Sequence, residues 1–297
     1  MRSIPKLVFA VPCYNEELVL PVANALFVKK IDNLICADAI SPDSGVLYVD
    51  DGSSDRTWDV ISELAESFGC VHGLSLSRNR GHQHALLAGL MEARRIADVV
   101  VSLDCDGQDD VNAVDEMLER WKNGAEIVYG VRKSRVTDTW FKRSTAHAFY
   151  SLMRWLGAEV VYDHADYRLT SSCVLDELAK FGEVNLFLRG IFPLVGYGTE
   201  LVYYERHERM AGESHYPFFK MLSFAMDGVT SLSIKPIRLV ALLGVVTALL
   251  GLAMIVWSIV SYVLGRVVPG WASNVISSCL IGGGATDFSW RDWRICW

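Results

Sequence analysis

Apolar runs alternate with amphipathic stretches along residues 5–130. Five short apolar runs bounded by turn residues predict strands at Leu7–Val11, Val46–Val49, Gly73–Leu76, Val99–Leu103 and Ile127–Tyr129. Helical spacing predicts helices at Asp55–Phe68, Gly81–Ala97, Val111–Asn123 and Lys142–Leu156, with an earlier helix that begins near Pro21. This alternation predicts an α/β fold with a mostly parallel, Rossmann-like sheet and helices on both of its faces.

A long apolar segment follows much later in the chain. Leu239–Leu264 has no charged residue over 26 positions, which exceeds the roughly 20 residues needed to cross a bilayer. We expect a transmembrane helix here, and a buried helix of a soluble protein is the alternative. Lys235 and Arg238 precede the segment and Arg266 follows it. This small excess favours a catalytic domain that faces the cytoplasm at the plasma (inner) membrane.

The flanking segments complete the predicted organisation. Residues 216–238 are amphipathic, which predicts interfacial helices in the headgroup layer or, alternatively, a helix packed on the catalytic domain. Residues 271–297 begin as a second apolar helix but turn polar after about residue 283. We therefore expect a catalytic domain over 1–215, interfacial helices over 216–238, a first span over 239–264 and an incomplete second span over 271–297.

Composition and charge exclude some functional classes. The formal net charge is −7 and no basic domain is present, so a nucleic-acid partner is disfavoured. His82 and His84 lie two residues apart, without a third ligand at the spacing of a zinc site. We therefore assign no transition-metal site to these histidines and expect both to be surface or structural residues.

Acidic residues directly follow the predicted fourth strand, in the stretch Leu103–Asp110. Open α/β sheets bind ligands at the carboxyl ends of their strands. Asp104 and Asp106, separated by one residue, can hold a hard divalent cation that also contacts substrate phosphates. A solvated acidic turn is the alternative. Within this stretch we interpret Cys105 as a small residue pointing into the fold, and Asp109 and Asp110 as the cap of the next helix.

Two further motifs follow the first and second predicted strands. Val11–Glu17 reads VPCYNEE, a turn whose amides and side chains can face a nucleotide, although helix capping explains Asn15 equally well. Tyr48–Asp55 reads YVDDGSSD and places two adjacent aspartates at the sheet edge. One of them can accept hydrogen bonds from a base or a ribose, while Ser54 or Asp55 caps the following helix.

The three motifs occur in one order, as P-x-Y-N-E, D-D-G-S-x-D and D-x-D-x-Q-D. Together they resemble the family 2 glycosyltransferases of the polyprenyl-phosphate branch, the group of dolichyl-phosphate mannose synthases and bactoprenol glucosyltransferases. The resemblance extends from Leu7 to Gly283 and implies a GT-A type catalytic domain. It also covers the basic segment Gly130–Arg135, the sequence Asp166–Leu169, and the loop segments Arg206–Arg209 and Gly212–Tyr216.

The resemblance implies a role for each matching residue. The implied nucleotide-sugar site, in which Asp51 reads the base, comprises Pro12, Tyr14, Glu16, Asp51, Asp104, Arg132, Arg135, Arg209, Ser214 and His215. The implied ligands of Mg²⁺ or Mn²⁺ are Asp104, Asp106 and Gln108, and the implied catalytic residues are Asp106, Asp166, Arg132 and Arg168. The chain departs from the family pattern at His215, where lysine is usual, and at Arg80, where an apolar aromatic residue is expected.

The implied reaction is metal-dependent transfer of a hexose, with inversion, from a nucleotide sugar to a polyprenyl phosphate such as undecaprenyl phosphate. UDP-glucose is the favoured donor, ahead of GDP-mannose, UDP-N-acetylglucosamine and an amino-arabinose nucleotide. Arg132, Arg135 or Arg168 would clamp the phosphates. Asp166 would orient these arginines or the sugar hydroxyls, and action as a general base is the alternative. Homo-oligomerisation is left open.

Two other functions are compatible with some of these features. A processive polysaccharide synthase shares the early motifs but needs the sequence Q-x-x-R-W. Ser151 stands where that sequence requires glutamine ahead of Arg154 and Trp155, which disfavours processivity. A membrane-tethered protein that binds nucleotide sugars without activity is the second alternative, and the intact Asp104 and Asp106 argue against it.

The polar tail after Gly283 departs from the resembled enzymes, which continue with a second transmembrane helix. Codons for residues 284–297 can be chosen so that a one-base shift reads V-Q-L-I-F-L-G-V-I-G-E-Y-V-G, an apolar helix with the family's G-E-Y-[IV]-G ending. We therefore infer a frameshift near Gly283 or Gly284, natural or from sequencing. The gene sequence tests this inference, because a single-base change there must reopen the family frame.

Overall fold

The structure is a computed structural model, and it describes residues 2–132, 164–181, 188–205 and 235–265. The described residues belong to two units, an α/β unit that is described as far as residue 205 and a separate apolar helix. The predicted helix Lys142–Leu156 and the predicted segments over 216–234 and 271–297 lie outside the described residues.

A seven-stranded sheet forms the centre of the α/β unit. Its strands are β1 (Leu7–Cys13), β2 (Gly45–Asp50), β3 (Val71–Ser75), β4 (Val99–Ser102), β5 (Ile127–Arg132), β6 (His164–Ser171) and β7 (Thr199–Tyr204). They are ordered β3-β2-β1-β4-β6-β5-β7. Every residue of β1, β2 and β4 is buried, as expected for parallel strands covered on both faces.

The sheet is mostly parallel, as the sequence predicts, with one exception. All five predicted strands are present, and β6 and β7 are additional. β6 runs antiparallel to both β4 and β5. Because of this reversal, β6 begins at the edge where its parallel neighbours end, and Asp166 and Arg168 near its start reach that edge.

Helices cover both faces of the sheet, as predicted. They are α1 (Leu20–Cys36), α2 (Thr57–Ser67), α3 (His82–Ala93), α4 (Ala113–Lys122), α5 (Ser172–Leu178) and α6 (Leu188–Leu194). Phe27 of α1, Ile61 of α2 and Met117 of α4 belong to the core on one face. Leu86 of α3 and Phe192 of α6 belong to the core on the other face.

The separate apolar helix, α7, spans Lys235–Val263. Within it, Ala241–Ser261 has a mean hydropathy of 2.4 over its most apolar window, of which only 11% is buried. By length and composition this helix can cross a membrane. It corresponds to the first predicted span, over residues 239–264.

Candidate active site

The candidate site lies where the carboxyl ends of β1, β2, β4 and β5 meet the start of β6. The register pairs Ser102 of β4 with Arg168 of β6. Asp104 lies two residues after Ser102, and Asp166 lies two residues before Arg168. Because the two strands are antiparallel, the same register brings Asp104 opposite Asp166. The antiparallel strand thus adds a carboxylate to the edge where the parallel strands end.

The loop after β4 presents alternate residues to solvent. Asp104, Asp106 and Gln108 are half-buried, whereas Cys105 and Asp109 between and beside them are buried. The Asp106 Oδ1 atom accepts a hydrogen bond of 3.1 Å from the Gln108 backbone N–H, which tightens the loop. The prediction that Cys105 points into the fold is confirmed, since its exposed fraction is 3%.

These half-buried groups fit a hard divalent cation by their chemistry, because two carboxylates and an amide offer only oxygen ligands. Within the part of the chain that the structure describes, no group of three or more His, Cys, Asp or Glu side chains is arranged to hold a metal ion. A site with few protein ligands suits Mg²⁺ or Mn²⁺ bound together with substrate phosphates. The assignment of Asp104, Asp106 and Gln108 as ligands stays a prediction.

Asp104 has an unusual protonation equilibrium. Its pKa is raised to about 6, chiefly by burial; His82 lowers the pKa, and the neighbouring carboxylates of Asp109, Asp166 and Asp106 raise it. Like charges gathered at one site disfavour ionisation. A cation bound between these carboxylates would offset that repulsion.

Asp166 is an enclosed carboxylate near this loop, with a side chain 5% exposed. Its Oδ1 atom lies 2.7 Å from Arg168 Nη2, and its Oδ2 atom accepts a hydrogen bond of 3.1 Å from Gln83 Nε2. Gln83 also accepts a hydrogen bond of 3.1 Å from the backbone N–H of Leu188. The Leu188 N–H can only donate, so its partner must be the Oε1 atom of Gln83. The Nε2 atom of Gln83 therefore faces Asp166.

His82 is exposed, as expected of a surface residue, and it also lies beside the carboxylates of the candidate site. Its Nε2 atom lies 3.4 Å from Asp166 Oδ2 and 3.7 Å from Asp104 Oδ1. Sequence reasoning missed both His82 and Gln83 because it considered histidines only as members of a zinc motif. Their position at the start of α3, after an edge loop, was the available signal.

Arg168 occupies a different environment from the one expected of a phosphate ligand. Its side chain is fully buried beside Asp166, and its guanidinium lies 4.2 Å from the ring centroid of Phe192. This placement suits an arginine that orients Asp166. Direct contact of Arg168 with a phosphate stays a prediction.

A second buried cluster joins the loop to β5 and β7, and it corrects the interpretation of Asp109 as a helix cap. Asp109 Oδ1 accepts a hydrogen bond of 2.5 Å from the Tyr204 hydroxyl and lies 3.3 Å from Arg132 Nη2. Asp110 instead accepts from the backbone N–H of Asn112, ahead of α4. Arg132 is 30% exposed, so part of its guanidinium remains accessible to a ligand.

The two loops after β1 and β2 are tied to each other. The Asn15 side chain accepts from the Ser54 backbone N–H, while the Asn15 backbone N–H donates to Ser53 Oγ. Asn15 therefore joins the loops and does not cap α1. Asp55 accepts from the backbone N–H and the hydroxyl of Thr57, the first residue of α2, although the N-cap position of this helix is occupied by Arg56.

The residues predicted to line the nucleotide pocket lie on this joined edge. Pro12 is buried within β1, Tyr14 is 46% exposed, and Glu16 is half-buried. The Glu16 backbone N–H donates a 2.8 Å hydrogen bond to the Thr57 hydroxyl. An exposed aromatic ring on a fixed loop is a suitable surface for a base to stack on.

Asp51, predicted to read the base, holds the loop before α3. Its two carboxylate oxygens accept 2.8 Å hydrogen bonds from the backbone N–H groups of Arg80 and Gly81. Gly52 allows this close approach, since its φ is +66° and a Cβ there would lie 2.5 Å from the Arg78 carbonyl carbon. Contact of Asp51 with a base stays a prediction, as do the roles of Arg135, Arg209, Ser214 and His215, which lie outside the described residues.

The chain is similar to known proteins in sequence and in fold. Residues 8–178 match the family described as Glycosyl transferase family 2. The chain is 46% identical over 282 residues, 95% of its length, to 84% of the Bacillus subtilis (strain 168) protein named "Uncharacterized glycosyltransferase YkoT". It is 34% identical over 94% of its length to 89% of the "Bactoprenol glucosyl transferase" of Shigella phage SfV.

A solved structure of similar fold is glucosyl-3-phosphoglycerate synthase from Mycobacterium tuberculosis, in complex with Mn²⁺, uridine diphosphate and glucosyl-3-phosphoglycerate. The TM-score is 0.50 at 18% sequence identity, with 77% of this chain and 78% of that chain covered. At this identity the likeness concerns the fold alone, which is of the GT-A type.

Proposed function

We propose that this chain, which belongs to glycosyl transferase family 2, transfers glucose from UDP-glucose to a polyprenyl phosphate. The single observation that carries the proposal is the geometry of the sheet edge, where Asp104 and Asp106 share one site with Asp166 and the accessible side of Arg132. The named bactoprenol glucosyl transferases at 33–34% identity support this choice of donor sugar and acceptor.

A divalent cation, Mg²⁺ or Mn²⁺, would be held by Asp104, Asp106 and Gln108. When bound, it would neutralise negative charge on the leaving diphosphate. Arg132 would contact a phosphate through the exposed part of its guanidinium and assist in the same neutralisation. Asp51 and Tyr14 would form the nucleotide side of the site, with Asp51 reading the base directly or through the loop it holds.

The acceptor needs little activation in this reaction, because a phosphate monoester is already anionic near neutral pH. An acceptor oxygen attacks the anomeric carbon, the bond to the nucleoside diphosphate breaks, and attack from the opposite face inverts that carbon. Asp166, oriented by Gln83 and Arg168, would accept hydrogen bonds from hydroxyls of the transferred sugar. Positioning of the two substrates is then the main contribution of the protein.

The long apolar helix fits this choice of acceptor. A polyprenyl phosphate resides in the bilayer, and α7 would hold the catalytic unit at the same surface. In this arrangement residues 1–215 face the cytoplasm at the plasma membrane, residues 216–238 lie in the headgroup layer and residues 239–264 span the bilayer.

Reconstituted transfer tests the proposal. Detergent-solubilised protein is supplied with UDP-glucose, Mn²⁺ and undecaprenyl phosphate, and glycolipid is measured by chromatography of radiolabelled product. We expect product from the wild type and a loss of at least about 100-fold in Asp106→Ala. Undiminished product from Asp106→Ala would overturn the metal assignment. Binding of UDP-glucose without turnover would instead favour a protein that binds nucleotide sugars without activity.

A further inference from the structure

Tyr204 connects the loop after β4 to the neighbouring strands. Its hydroxyl donates to Asp109 Oδ1 at 2.5 Å and accepts a hydrogen bond of 3.1 Å from Arg132 Nε. Arg132 Nη2 lies 3.3 Å from the same Asp109 oxygen. One hydroxyl thus contacts both a residue of the predicted metal-binding loop and the arginine that faces the candidate site.

The strand register explains how Tyr204 reaches this position. Arg132 and Tyr204 are paired residues at the ends of β5 and β7. The Tyr204 ring packs edge-to-face on Tyr167, with centroids 5.1 Å apart. Gly130 leaves room for both rings, because a Cβ there would lie 2.8 Å from the Tyr167 ring and 3.1 Å from the Tyr204 ring. The ring position is therefore set by packing, independently of its hydroxyl.

The buried carboxylate of Asp109 depends on the Tyr204 hydroxyl as a hydrogen-bond donor. The residue is 6% exposed, and both donors named above approach its Oδ1 atom. Among the described residues its Oδ2 atom has no hydrogen-bond partner. A buried carboxylate with few partners is sensitive to the loss of any one of them. Burial and the nearby Asp109 also raise the pKa of Tyr204, so the phenol keeps the proton that it donates.

We propose that Tyr204 is a positioning residue whose hydroxyl sets the geometry of the metal-binding loop and of Arg132 together. Asp109 lies one residue from Gln108 and three from Asp106, so a displacement of Asp109 moves the predicted ligands. This inference rests on the proposed function in one respect, the binding of a divalent cation by Asp104, Asp106 and Gln108. It requires no particular sugar or acceptor.

The chain offers a matched pair of variants for the test. Tyr204→Phe removes the hydroxyl and retains the packed ring, while Tyr203→Phe makes the same change on a neighbouring side chain that is 57% exposed. Mn²⁺ binding to the full-length, detergent-solubilised protein is measured by electron paramagnetic resonance and by titration calorimetry, at a fixed concentration of uridine diphosphate that supplies the phosphate ligands. Thermal unfolding in EDTA is recorded in parallel.

We expect Tyr204→Phe to raise the Kd for Mn²⁺ about three- to tenfold, which corresponds to one buried hydrogen bond. We expect Tyr203→Phe to bind Mn²⁺ as the wild type does. Tyr204→Phe with a lowered melting temperature but an unchanged Kd would show that the hydroxyl serves stability alone, and the proposal would be overturned. An equal rise in Kd in both variants would also overturn it.

A second variant covers the case in which Tyr204→Phe does not fold. Asp109→Asn retains an acceptor for the Tyr204 hydroxyl and removes the charge that holds Arg132. We expect this variant also to raise the Kd for Mn²⁺. An unchanged Kd would count against the proposal. Wild-type protein that binds Mn²⁺ but transfers no glucose would refute the proposed function and leave this inference standing. Wild-type protein that binds no Mn²⁺ would refute the inference.

Discussion

Two aspartate–arginine pairs flank the candidate site, and they differ in what the arginine can reach. Asp166 and Asp109 are similarly enclosed, with side chains 5% and 4% exposed. Arg168 is fully buried beside the first, whereas Arg132 is 30% exposed beside the second. We infer that the arginine orients the carboxylate in the first pair and that the carboxylate orients the arginine in the second. On this interpretation the burial of the arginine decides which role the pair has.

The largest expected effect separates the two arginines by stability. Arg168→Met leaves the Asp166 charge buried, so we expect the free energy of unfolding to fall by about 3–5 kcal/mol. Arg132→Met should cost only about 1–3 kcal/mol, because Arg132 is partly exposed and Tyr204 still donates to Asp109. Urea unfolding of detergent-solubilised protein measures both. Equal losses would show that burial does not distinguish the pairs.

A smaller effect is expected at Gln83, which orients Asp166 from the other side. Gln83→Met preserves the shape of the side chain and removes both hydrogen bonds. We expect kcat to fall roughly tenfold, the equivalent of about 1.4 kcal/mol, with little change in KM for the donor. His84→Ala, an exposed neighbour on the same helix, is the control. If kcat is unchanged in Gln83→Met, Asp166 does not need this contact.

The smallest effect concerns Asp104, which lies between the two pairs. The pKa of Asp104 is raised to about 6 in the folded protein, whereas that of an ordinary carboxyl is 3.8. The folded protein therefore binds this proton more tightly than the unfolded chain does, and the free energy of unfolding of the metal-free protein falls as pH rises through that window. Asp104→Asn removes this loss, and the effect is modest because the side chain is 34% exposed. In EDTA, the variant should melt above the wild type at pH 7.5, and the difference should shrink as pH falls through this window and vanish only below about pH 3.8.

Binding of Mn²⁺ provides a further check on the same group. The cation needs the ionised carboxylate, so the wild-type affinity should decrease as pH falls below about 6. An affinity for Mn²⁺ that stays constant between pH 5 and pH 7.5 would exclude Asp104 as a ligand. The same titration of Asp104→Asn shows how much of the pH dependence belongs to this residue.

Local pattern was sufficient for much of the fold. The apolar runs of β1, β2 and β4 and the helical spacing of α2 and α4 are strong periodic signals, and the structure has these elements within a few residues of the predicted bounds. β6 was not predicted, although the alternation of polar and apolar residues in its sequence, HADYRLTS, is typical of a half-buried strand. Its direction depends on pairing with β4, which lies about 65 residues earlier in the chain.

The candidate site, like the fold, was predicted only in part. Asp104 and Asp106 could be predicted because they directly follow a recognisable strand, and the edge of a parallel sheet is where ligands bind. The contacts of Gln83, His82 and Tyr204 could not be predicted, since their partners are 83, 84 and 95 positions distant in the chain. The burial of Arg168 could not be predicted either, because the ring of Phe192 that covers it comes from α6, a different element of the fold.

The sequence by itself determined the α/β class, the parallel strands, the acidic loop after β4 and an apolar helix long enough to cross a bilayer. Each of these follows from residues that are neighbours in the chain or share one helical face. Only the tertiary structure decided that β6 runs backwards, that Asp166 faces Asp104, and that Asp109 pairs with Tyr204 and does not cap a helix. Those outcomes depend on contacts between distant strands, and on which side chains such contacts remove from water.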